Sequence, residues 1–357
     1  VVANPNTRPV VESISPASEL TQVFAGSKQK FEVTAYDPEG KDLTFVWSVD
    51  GVRKSGTGAS FTYMPSVSDY GYHTIRCIVS DGFWTADVFC EWDVRVAKSF
   101  YVDASAPIGG DGSSPTLAFN SLSMALTRIA DGDELILAPG TYSATWLYSK
   151  IVTIRSMSGP DVTFIDGNEG FYCVYGDWNS ETRAKVIGVT LQNASCGAAW
   201  VDLENCIIRD CTSQIANGVG LVNCLAYHNK YVGDGLYDCK VYNSTISGNE
   251  GDYALGWGTV AYNSIISGNF TLDGRESNLY PYDQWVSYSD TNGWYSVLMS
   301  NTVNFCCSDI LPHNGGVGNI AADPRLVDAV HGDLRLRLGS PCRNAASVDY
   351  LCSDTDF

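Results

Sequence analysis

Basic residues are scarce in this sequence, since 22 Lys and Arg stand against 40 Asp and Glu and the formal net charge is −18. Affinity for polyphosphates comes chiefly from Lys and Arg, so this balance argues against nucleic acid or an anionic membrane surface as a partner. No hydrophobic run reaches the length of a membrane span. No set of cysteines and histidines has zinc-site spacing, so no metal site is predicted.

Charged residues make up only 17% of the chain, and methionine occurs four times. The remainder is rich in Gly, Tyr and Trp, with 34, 20 and nine residues, which is typical of a β-rich protein with glycine turns. A length of 357 residues with 45% hydrophobic content predicts two folded domains. The chain opens on Val1 without a basic, apolar leader. We therefore expect a mature or trimmed export product, located outside the cell or at its surface.

Twelve cysteines, an even number, favour disulfides and a secretory route. Three bridges are suggested by residues that flank a predicted turn, occupy equivalent places in a repeat, or enclose the C-terminal loop: Cys77 with Cys90, Cys206 with Cys224, and Cys342 with Cys352. For Cys206 and Cys224, a stack of two buried thiols is the alternative.

A short sequence repeat occurs four times between Val201 and Asn269. Its anchors lie 18, 20 and 20 residues apart, at Asn205, Asn223, Asn243 and Asn263. Positions two before and one and three after each anchor are small or apolar, which is the period-two pattern of strands with one buried face. A repeat this short has no room for two strands and a crossover helix, so each copy predicts one coil of a β-solenoid. The anchors are predicted to form a hydrogen-bonded ladder of side chains at a corner.

Residues 1–97 resemble a known sandwich module. Short alternating strands are separated there by turn signals such as the one at residues 37–40. The stretches Phe31–Trp47 and Tyr72–Gly82 resemble the polycystic-kidney-disease (PKD) and Ig-like modules of secreted and surface proteins. The resemblance implies a spacer or adhesion module, in which Trp47 is a core residue and not a ligand.

Residues 98–357 begin with a helix signal followed by a strand motif. Thr116–Ala130 has the apolar spacing of an amphipathic helix, with Ser113 or Ser114 as its cap. Residues 132–142 and the coils after them resemble the start of right-handed parallel β-helix proteins of the pectate-lyase-like superfamily. The resemblance implies that the helix caps the open end of the solenoid. The expected fold is all-β: an N-terminal Ig/PKD-like β-sandwich followed by a right-handed parallel β-helix with an N-terminal capping helix.

The copies of the repeat differ most where they carry charge. One flank of two or three coils is expected to assemble the candidate catalytic residues: Arg209, Asp210, His228, Lys230, Asp234 and Asp238. Glycan lyases need a cation to neutralise a uronate and a base to take a proton, and hydrolases need paired carboxylates. Neither the lyase pattern of calcium-binding Asp with Arg nor the hydrolase Asp-Asp with Gly-His-Gly pattern is present, which favours a solvated polar flank.

Aromatic residues give a second indication of a ligand. The candidate carbohydrate-binding residues are Tyr242, Trp257, Tyr262, Trp285 and Trp294. Such rings stack on sugar faces while hydroxyl groups form hydrogen bonds, although stacking between coils is itself stabilising. A stripe of outward apolar residues needs a loop, a partner or the first domain to cover it: Ile207, Leu225, Thr245 and Ile265.

These observations favour an exported cell-surface or extracellular structural or adhesion protein. It contacts a polysaccharide or other glycan, or assembles with copies of itself or with cell-surface proteins through the solenoid flank. The alternative is a carbohydrate-active enzyme, a polysaccharide lyase or glycoside hydrolase. A second alternative is a filament subunit whose arm, Val1–Val11, adds a strand to a neighbouring chain. The one cofactor considered is structural calcium at turn side chains: Asp37, Glu39, Asp131, Asp133, Asp166 and Asn168.

Overall fold

A computed structural model describes residues 6–17, 20–55, 58–83, 88–180, 182–271, 274–275, 284–290, 293–299, 302–304, 306–308 and 317–347. At 284–290, 293–299, Thr302 and Val330 it describes the backbone alone. The chain divides into two compact units. The first is Val1–Ser99 with Gly132–Glu134, and the second is Phe100–Asp131 with Leu135–Phe357. The boundary expected after residue 97 lies two residues before this division.

The first unit consists of two sheets around one core. Its strands are β1 Val10–Ser15, β2 Leu20–Phe24, β3 Gln29–Tyr36, β4 Thr44–Val49, β5 Val52–Arg53, β6 Ser60–Tyr63, β7 Gly71–Ser80 and β8 Val88–Ala97, with a 3-10 turn at Val67–Asp69. One sheet has the order β1-β3-β6 and the other has the order β2-β8-β7-β4-β5. Neighbouring strands run antiparallel, except that β2 and β8 are parallel.

The core of this unit is built around two tryptophans. The rings of Trp47 and Trp92 stack with centroids 5.7 Å apart, and Phe31 packs edge-on against Trp92 at 5.3 Å. Both indole N–H groups reach main-chain carbonyls, at Gly58 and Pro16, so no polar atom of either ring is left unpaired. The expectation that Trp47 is a buried core residue is confirmed.

The described residues of the second unit form mainly short strands, one helix, α1 Leu122–Leu126, and 3-10 turns at Pro115–Leu117 and Ala329–His331. Its strands are β9 Ser99–Val102, β10 Glu134–Leu137, β11 Gly140–Ser143, β12 Thr145–Trp146, β13 Thr153–Ser156, β14 Thr163–Tyr175, β15 Lys185–Ile187, β16 Thr190–Ala199, β17 Asp202–Glu204, β18 Ile207–Arg209, β19 Gln214–Asn217, β20 Gly220–Val222, β21 Leu225–Tyr227, β22 Asp234–Tyr237, β23 Lys240–Tyr242, β24 Thr245–Ser247, β25 Tyr253–Leu255, β26 Val260–Tyr262, β27 Ile265–Ser267, β28 Gln284–Asp290, β29 Gly293–Met299, β30 Thr302–Asn304, β31 Cys307–Ser308, β32 Ile320–Ala321, β33 Leu326–Asp328 and β34 Asp333–Leu336. The chain is therefore nearly all-β, as expected.

Two long sheets run along this unit and make it a parallel β-helix. One has the order β30-β26-β23-β20-β17-β15-β13-β10-β9, and the other follows β25-β22-β19-β16-β18-β21-β24-β27-β31-β32 with β11, β12 and β14 joined to it. The strands of successive coils pair in parallel and in register, one repeat apart. Inward residues of the repeat stack on one another, at Leu203, Leu221, Val241 and Ala261. The prediction that each repeat is one solenoid coil is confirmed.

The four Asn anchors lie at corners of the coils, where φ is between 50° and 53°. Residues other than Gly, Asn and Asp rarely adopt this left-handed conformation, which explains why Asn recurs there. A buried side-chain ladder is found six residues after the anchors, at Asn229, Asn249 and Asn269. The ladder expected at the anchors themselves stays a prediction.

The helix near the start of this unit is much shorter than expected. It covers Leu122–Leu126 instead of Thr116–Ala130, and its cap is Ser121, whose Oγ accepts the N–H of Met124 at 3.3 Å. A separate 3-10 turn after Ser114 interrupts the predicted span, so neither Ser113 nor Ser114 caps α1. The helix still presents an apolar face, with Leu122, Ala125 and Leu126 buried in the solenoid core.

The chain's own C-terminal part covers one end of the apolar stripe. Thr245 and Ile265 share a groove with Leu334 and Leu336 of β34. The side chain of Asn263 both donates to and accepts from the main chain of Ser347, at 3.0 and 2.9 Å. The sequence suggested that a loop, a partner or the first domain covers the stripe. At this end the cover is a segment of the same unit.

Candidate functional site

The candidate catalytic residues begin at a corner after β18. The guanidinium of Arg209 donates to Gln192 Oε1 at 2.8 Å and lies 3.7 Å from Asp210 Oδ2. Asp210 and His228 hold the corner position, with φ of 56° and 57°, and the His228 ring packs edge-on against Tyr227. Because the left-handed corner turns the chain, side chains before and after it project from different faces.

The remaining candidates follow that corner and lie apart from it. Lys230 Nζ forms a 2.8 Å ion pair with Glu250 on the next coil. Asp234 begins β22, and Asp238 lies at the next corner with φ 52°. Four residues of extended strand place these two aspartates about 13 Å apart along the chain. The six residues thus lie on successive strands and corners of the coils, and the single charged groove expected from them stays a prediction.

Asp234 and Asp238 nevertheless have perturbed acidities. Burial raises the pKa of Asp234 above its ordinary value, outweighing the hydrogen bond from the N–H of Trp257 at 2.9 Å, and the charge of Asp252 raises it further. Burial also raises the pKa of Asp238, against the opposing charges of Arg183 and Lys240. A raised pKa holds a proton on a carboxyl group, which is a property of general acids.

The candidate carbohydrate-binding rings form two stacks between coils. Tyr242 and Tyr262 are in register on β23 and β26, with centroids 5.3 Å apart and planes 14° from parallel. Trp257 does not join them but stacks on Tyr237 at 4.9 Å. In each pair one ring face is occupied by the partner ring, which leaves less face for a sugar. For Trp285 and Trp294, on β28 and β29, the side chains lie outside the described structure.

A more exposed group of rings lies on β12, on the turn that follows it and on β14, and sequence reasoning missed it. We call it the aromatic platform, consisting of Trp146, Tyr148, Phe171, Tyr172 and Tyr175. Trp146, Tyr148 and Phe171 are 47%, 74% and 76% exposed. The ring centroids of Trp146 and Tyr175 are 4.9 Å apart, and those of Tyr172 and Tyr175 are 4.8 Å apart. The ring of Tyr148 lies 6.5 Å from that of Trp146, and the ring of Phe171 lies 6.5 Å from that of Tyr172. The platform is a contiguous aromatic surface with open ring faces.

Strand register explains how the platform forms. Trp146 pairs with Tyr175, and Tyr175 pairs in turn with Ala199 on the following coil. Residues in register on parallel strands share one face of the sheet, so rings 29 residues apart in the sequence meet. These coils precede the regular repeat and differ from it in length, so the repeat pattern gave no signal there. The available signal was the outward spacing of Trp146 and Tyr148, two residues apart.

The strands that carry the platform and continue from it have few charged residues. The segments β12, β14, β16 and β19 contain neither Lys nor Arg. Two acids, Asp166 and Glu169, lie in β14. Burial of Asp166 would raise its pKa, but hydrogen bonds from Gln192, Asn168 and Asn193 lower it below the ordinary value, so this side chain is ionised. The guanidinium of Arg209, on β18, also reaches this face, where it donates to Gln192 and lies 6.0 Å from the ring centroid of Phe164.

A second concave surface lies under the C-terminal segment and has a volume of about 690 Å³. Its floor is apolar, with Ile265, Ile320 and Leu336, and Arg335 and Arg343 lie at its wall. The guanidinium of Arg335 is already paired with Asp333, at 2.8 and 2.6 Å. Polar residues also line this groove, but Asn263, Ser244 and Ser264 already donate to main-chain carbonyls, at 3.0, 2.8 and 2.7 Å. The platform, whose rings are exposed, is therefore the candidate developed below.

Two of the expected disulfides, Cys77 with Cys90 and Cys206 with Cys224, are not formed. Cys77 and Cys90 are directly opposite each other on β7 and β8, and burial raises the pKa of Cys77 to about 12. Cys206 and Cys224 are buried thiols that donate to main-chain carbonyls of Glu204 and Val222 at 3.3 and 3.2 Å. This is the stacked-thiol alternative, in which each sulfur is satisfied by the backbone. Cys352, and with it the third pair, lies outside the described residues.

No group of three or more His, Cys, Asp or Glu side chains in the described part of the chain is arranged to hold a metal ion. Some of the turn acids considered for calcium accept main-chain hydrogen bonds, and calcium binding there stays a prediction. Asp37 accepts the N–H of Glu39 and of Lys41, and Asp131 accepts that of Ile151. Within the same described ranges, no helix is long and apolar enough to cross a membrane.

No protein-family model and no curated protein matches the chain. Among solved structures, a quinoprotein alcohol dehydrogenase-like protein of Bacteroides thetaiotaomicron is 20% identical over 25% of this chain and 20% of its own length, with a TM-score of 0.20. A family 28 exopolygalacturonase of Yersinia enterocolitica is 10% identical over 90% of this chain and 88% of its own, with a TM-score of 0.28. Pectate lyase Pel9A is 14% identical over 70% and 91%, with a TM-score of 0.35. Similarity this weak does not assign a function, so a function has to be argued from the candidate site.

Proposed function

We propose that this protein is an exported, extracellular or cell-surface structural or adhesion protein that binds a glycan on the aromatic platform. The observation that carries the proposal is the contiguous set of exposed ring faces at Trp146, Tyr148 and Phe171, backed by Tyr172 and Tyr175. Sugar rings bury their C–H faces on exposed aromatic rings, and a cluster of exposed apolar side chains is typical of an interaction site.

The architecture proposed with this function is an Ig/PKD-like sandwich that acts as a spacer, followed by a right-handed parallel β-helix that displays the platform. Right-handed connection is the general rule for parallel strands joined by a crossover. We further propose that α1 caps the open end of the solenoid. Its buried residues Leu122, Ala125 and Leu126 belong to the same core as Leu135 and Ile154 of the first coils.

The test is glycan binding by the full chain, first on a glycan array and then by calorimetry. The variants Trp146→Ala and Tyr148→Ala remove platform rings, and Tyr36→Ala, an exposed tyrosine of β3 in the first unit, is the matched control. We expect the platform variants to weaken binding about tenfold, since an aromatic contact contributes about 1 kcal/mol beyond its buried area. Binding that is equal in all variants would contradict the assignment of the platform.

A carbohydrate-active enzyme is the second candidate, and the raised pKa values of Asp234 and Asp238 favour it. In that case the protein would release reducing or unsaturated sugars from a polysaccharide, and Asp234→Asn or Asp238→Asn would abolish the release. We expect the wild-type chain to bind glycan without releasing product over hours. Product release that these substitutions abolish would replace the adhesion proposal.

A further inference from the structure

We propose that the side chains of Asn6 and Lys41 join through an intramolecular isopeptide bond, which the first unit forms without an enzyme. This inference is independent of the glycan site on the second unit. It is carried by the position of one carboxylate oxygen, Oδ2 of Asp81. That oxygen accepts the side-chain amide of Asn6 at 2.6 Å and lies 3.6 Å from Nζ of Lys41. The same Nζ donates to Oδ1 of Asn6, so it lies beside the carbonyl group whose carbon it would attack.

Strand register and hydrogen bonds bring Asn6 to the turn that contains Lys41. The antiparallel pairing of β1 with β3 sets Val10 opposite Tyr36, and continuing this register sets residue 6 opposite the turn after β3. Thr7 fixes the segment there, since its main-chain N–H and its hydroxyl donate to the Glu39 carboxylate at 3.2 and 2.5 Å.

The surroundings of Asp81 direct one of its oxygens to the two nitrogens. Its Oδ1 accepts the N–H of Phe83 at 3.0 Å, and the side chain is only 4% exposed. The ring of Phe83 lies 4.5 Å from Nζ of Lys41 and covers one side of it. Hydrogen bonds from Asn6 and from the N–H of Phe83 lower the pKa of Asp81, so at rest it is a carboxylate, the form that accepts a proton.

The reaction is an amide exchange that needs no further reactant. Asp81 takes a proton from the ammonium of Lys41, and the free electron pair of Nζ forms a bond to Cγ of Asn6. The bond between Cγ and Nδ2 then breaks, and its electron pair leaves with the nitrogen. Nζ loses two protons in all and Nδ2 gains two, passed through Asp81, so the amide nitrogen departs as ammonium. Holding the reacting groups in contact raises their effective concentration.

The experiment measures the intact mass of the purified full chain and maps its peptides after proteolysis. We expect a mass lower by one ammonia than the sequence requires, and a branched peptide that joins Asn6 to Lys41. Lys41→Arg and Asn6→Ala should restore the full mass, because each removes a reacting group. Lys30→Arg is the matched control and should keep the ammonia loss, since Lys30 forms an exposed 2.6 Å ion pair with Glu32 in the same unit.

Asp81→Ala tests the proton transfer and should leave most of the chain at full mass, with the native fluorescence of the buried Trp47 showing that the unit is folded. A wild-type mass equal to that of the sequence would overturn the proposal. An ammonia loss that persists in Lys41→Arg would also overturn it, since the loss would then arise elsewhere. Equal ammonia loss in wild type and Asp81→Ala would overturn the role of Asp81.

Discussion

The side-chain amide of Asn229 donates to Oδ1 of Asn249 at 2.9 Å, and the same oxygen accepts the main-chain N–H of Asn229 at 3.0 Å. Asn249 repeats both bonds to Asn269, at 2.8 and 3.2 Å. All three side chains are buried in the solenoid. Because a buried polar group without a partner is costly, this ladder satisfies the main chain at one corner of successive coils.

Removing one member of the ladder should destabilise the second unit. Asn249→Ala removes the oxygen that accepts the main-chain N–H and one side-chain N–H of Asn229, and it removes the 3.0 Å donor to the carbonyl of Ala226. We expect the free energy of unfolding to fall by about 2–4 kcal/mol, measured by urea denaturation. Asn179→Ala, in an exposed turn, is the control and should change it by less than about 0.5 kcal/mol. Equal effects of the two substitutions would argue against a structural ladder.

The stability of the solenoid should depend on whether the residue at a coil corner adopts the left-handed conformation easily. Asn205 has φ of 52°, and its exposed side chain has only a long 3.5 Å contact with Glu204. Asn205→Gly should leave the free energy of unfolding nearly unchanged, because glycine adopts this conformation freely. Asn205→Val should lower it by about 1–2 kcal/mol, since a β-branched residue is strained there. Thermal or urea unfolding distinguishes these outcomes, and similar stability of the two variants would show that the corner relaxes.

The first unit should show a pH-dependent contribution from His73. Burial alone would lower the pKa of His73, but hydrogen bonds to Asp50 at 2.7 Å and to the Asp69 carbonyl at 2.5 Å raise it above 6.5. Because the pKa of His73 is higher in the folded than in the unfolded state, its protonation stabilises the fold. This contribution is complete below the unfolded pKa of about 6.5 and is lost as pH rises through the folded pKa.

The test compares His73→Gln with wild type by urea denaturation at about pH 5 and about pH 9. We expect the loss of unfolding free energy caused by the substitution to be larger at the acidic pH, where His73 is protonated and paired with Asp50. Tyr36→Ala controls for a general effect of pH on this unit. A loss that is equal at both pH values would show that the ion pair contributes nothing.

The ionised carboxylate of Asp234 should lower the free energy of unfolding at neutral pH. Because burial raises its pKa, the stabilisation of its protonated form is present below the ordinary value of 3.8 and is lost as pH rises through the folded pKa. Asp234→Asn removes the charge while its oxygen still accepts the N–H of Trp257. We expect a gain below about 1 kcal/mol at neutral pH that vanishes in acid, since the group is partly exposed. A loss of stability at neutral pH would indicate that the carboxylate has a charged partner.

Much of the fold follows from the sequence because local patterns determine it. Small and apolar residues at every second position of the repeat allow only strands with a buried face, and Leu203 and Leu221 are found stacked as predicted. Asn, Asp and Gly recur where a left-handed corner is needed, as at Asn243. The length of α1 was not predictable in this way, because apolar spacing extends past the point at which Ser121 caps the helix.

Which side chains form the candidate site was decided by the tertiary structure. Several corners lie between Arg209, at the end of β18, and Asp234, at the start of β22, and the repeat pattern does not record the direction of these corners. Conversely, Trp146 and Tyr175 belong to irregular coils and become neighbours only through the register of β12 and β14. Sequence by itself therefore determined that a β-solenoid forms and which residues face its interior. Only the tertiary structure decided which outward side chains meet, because that depends on the length and stagger of each coil.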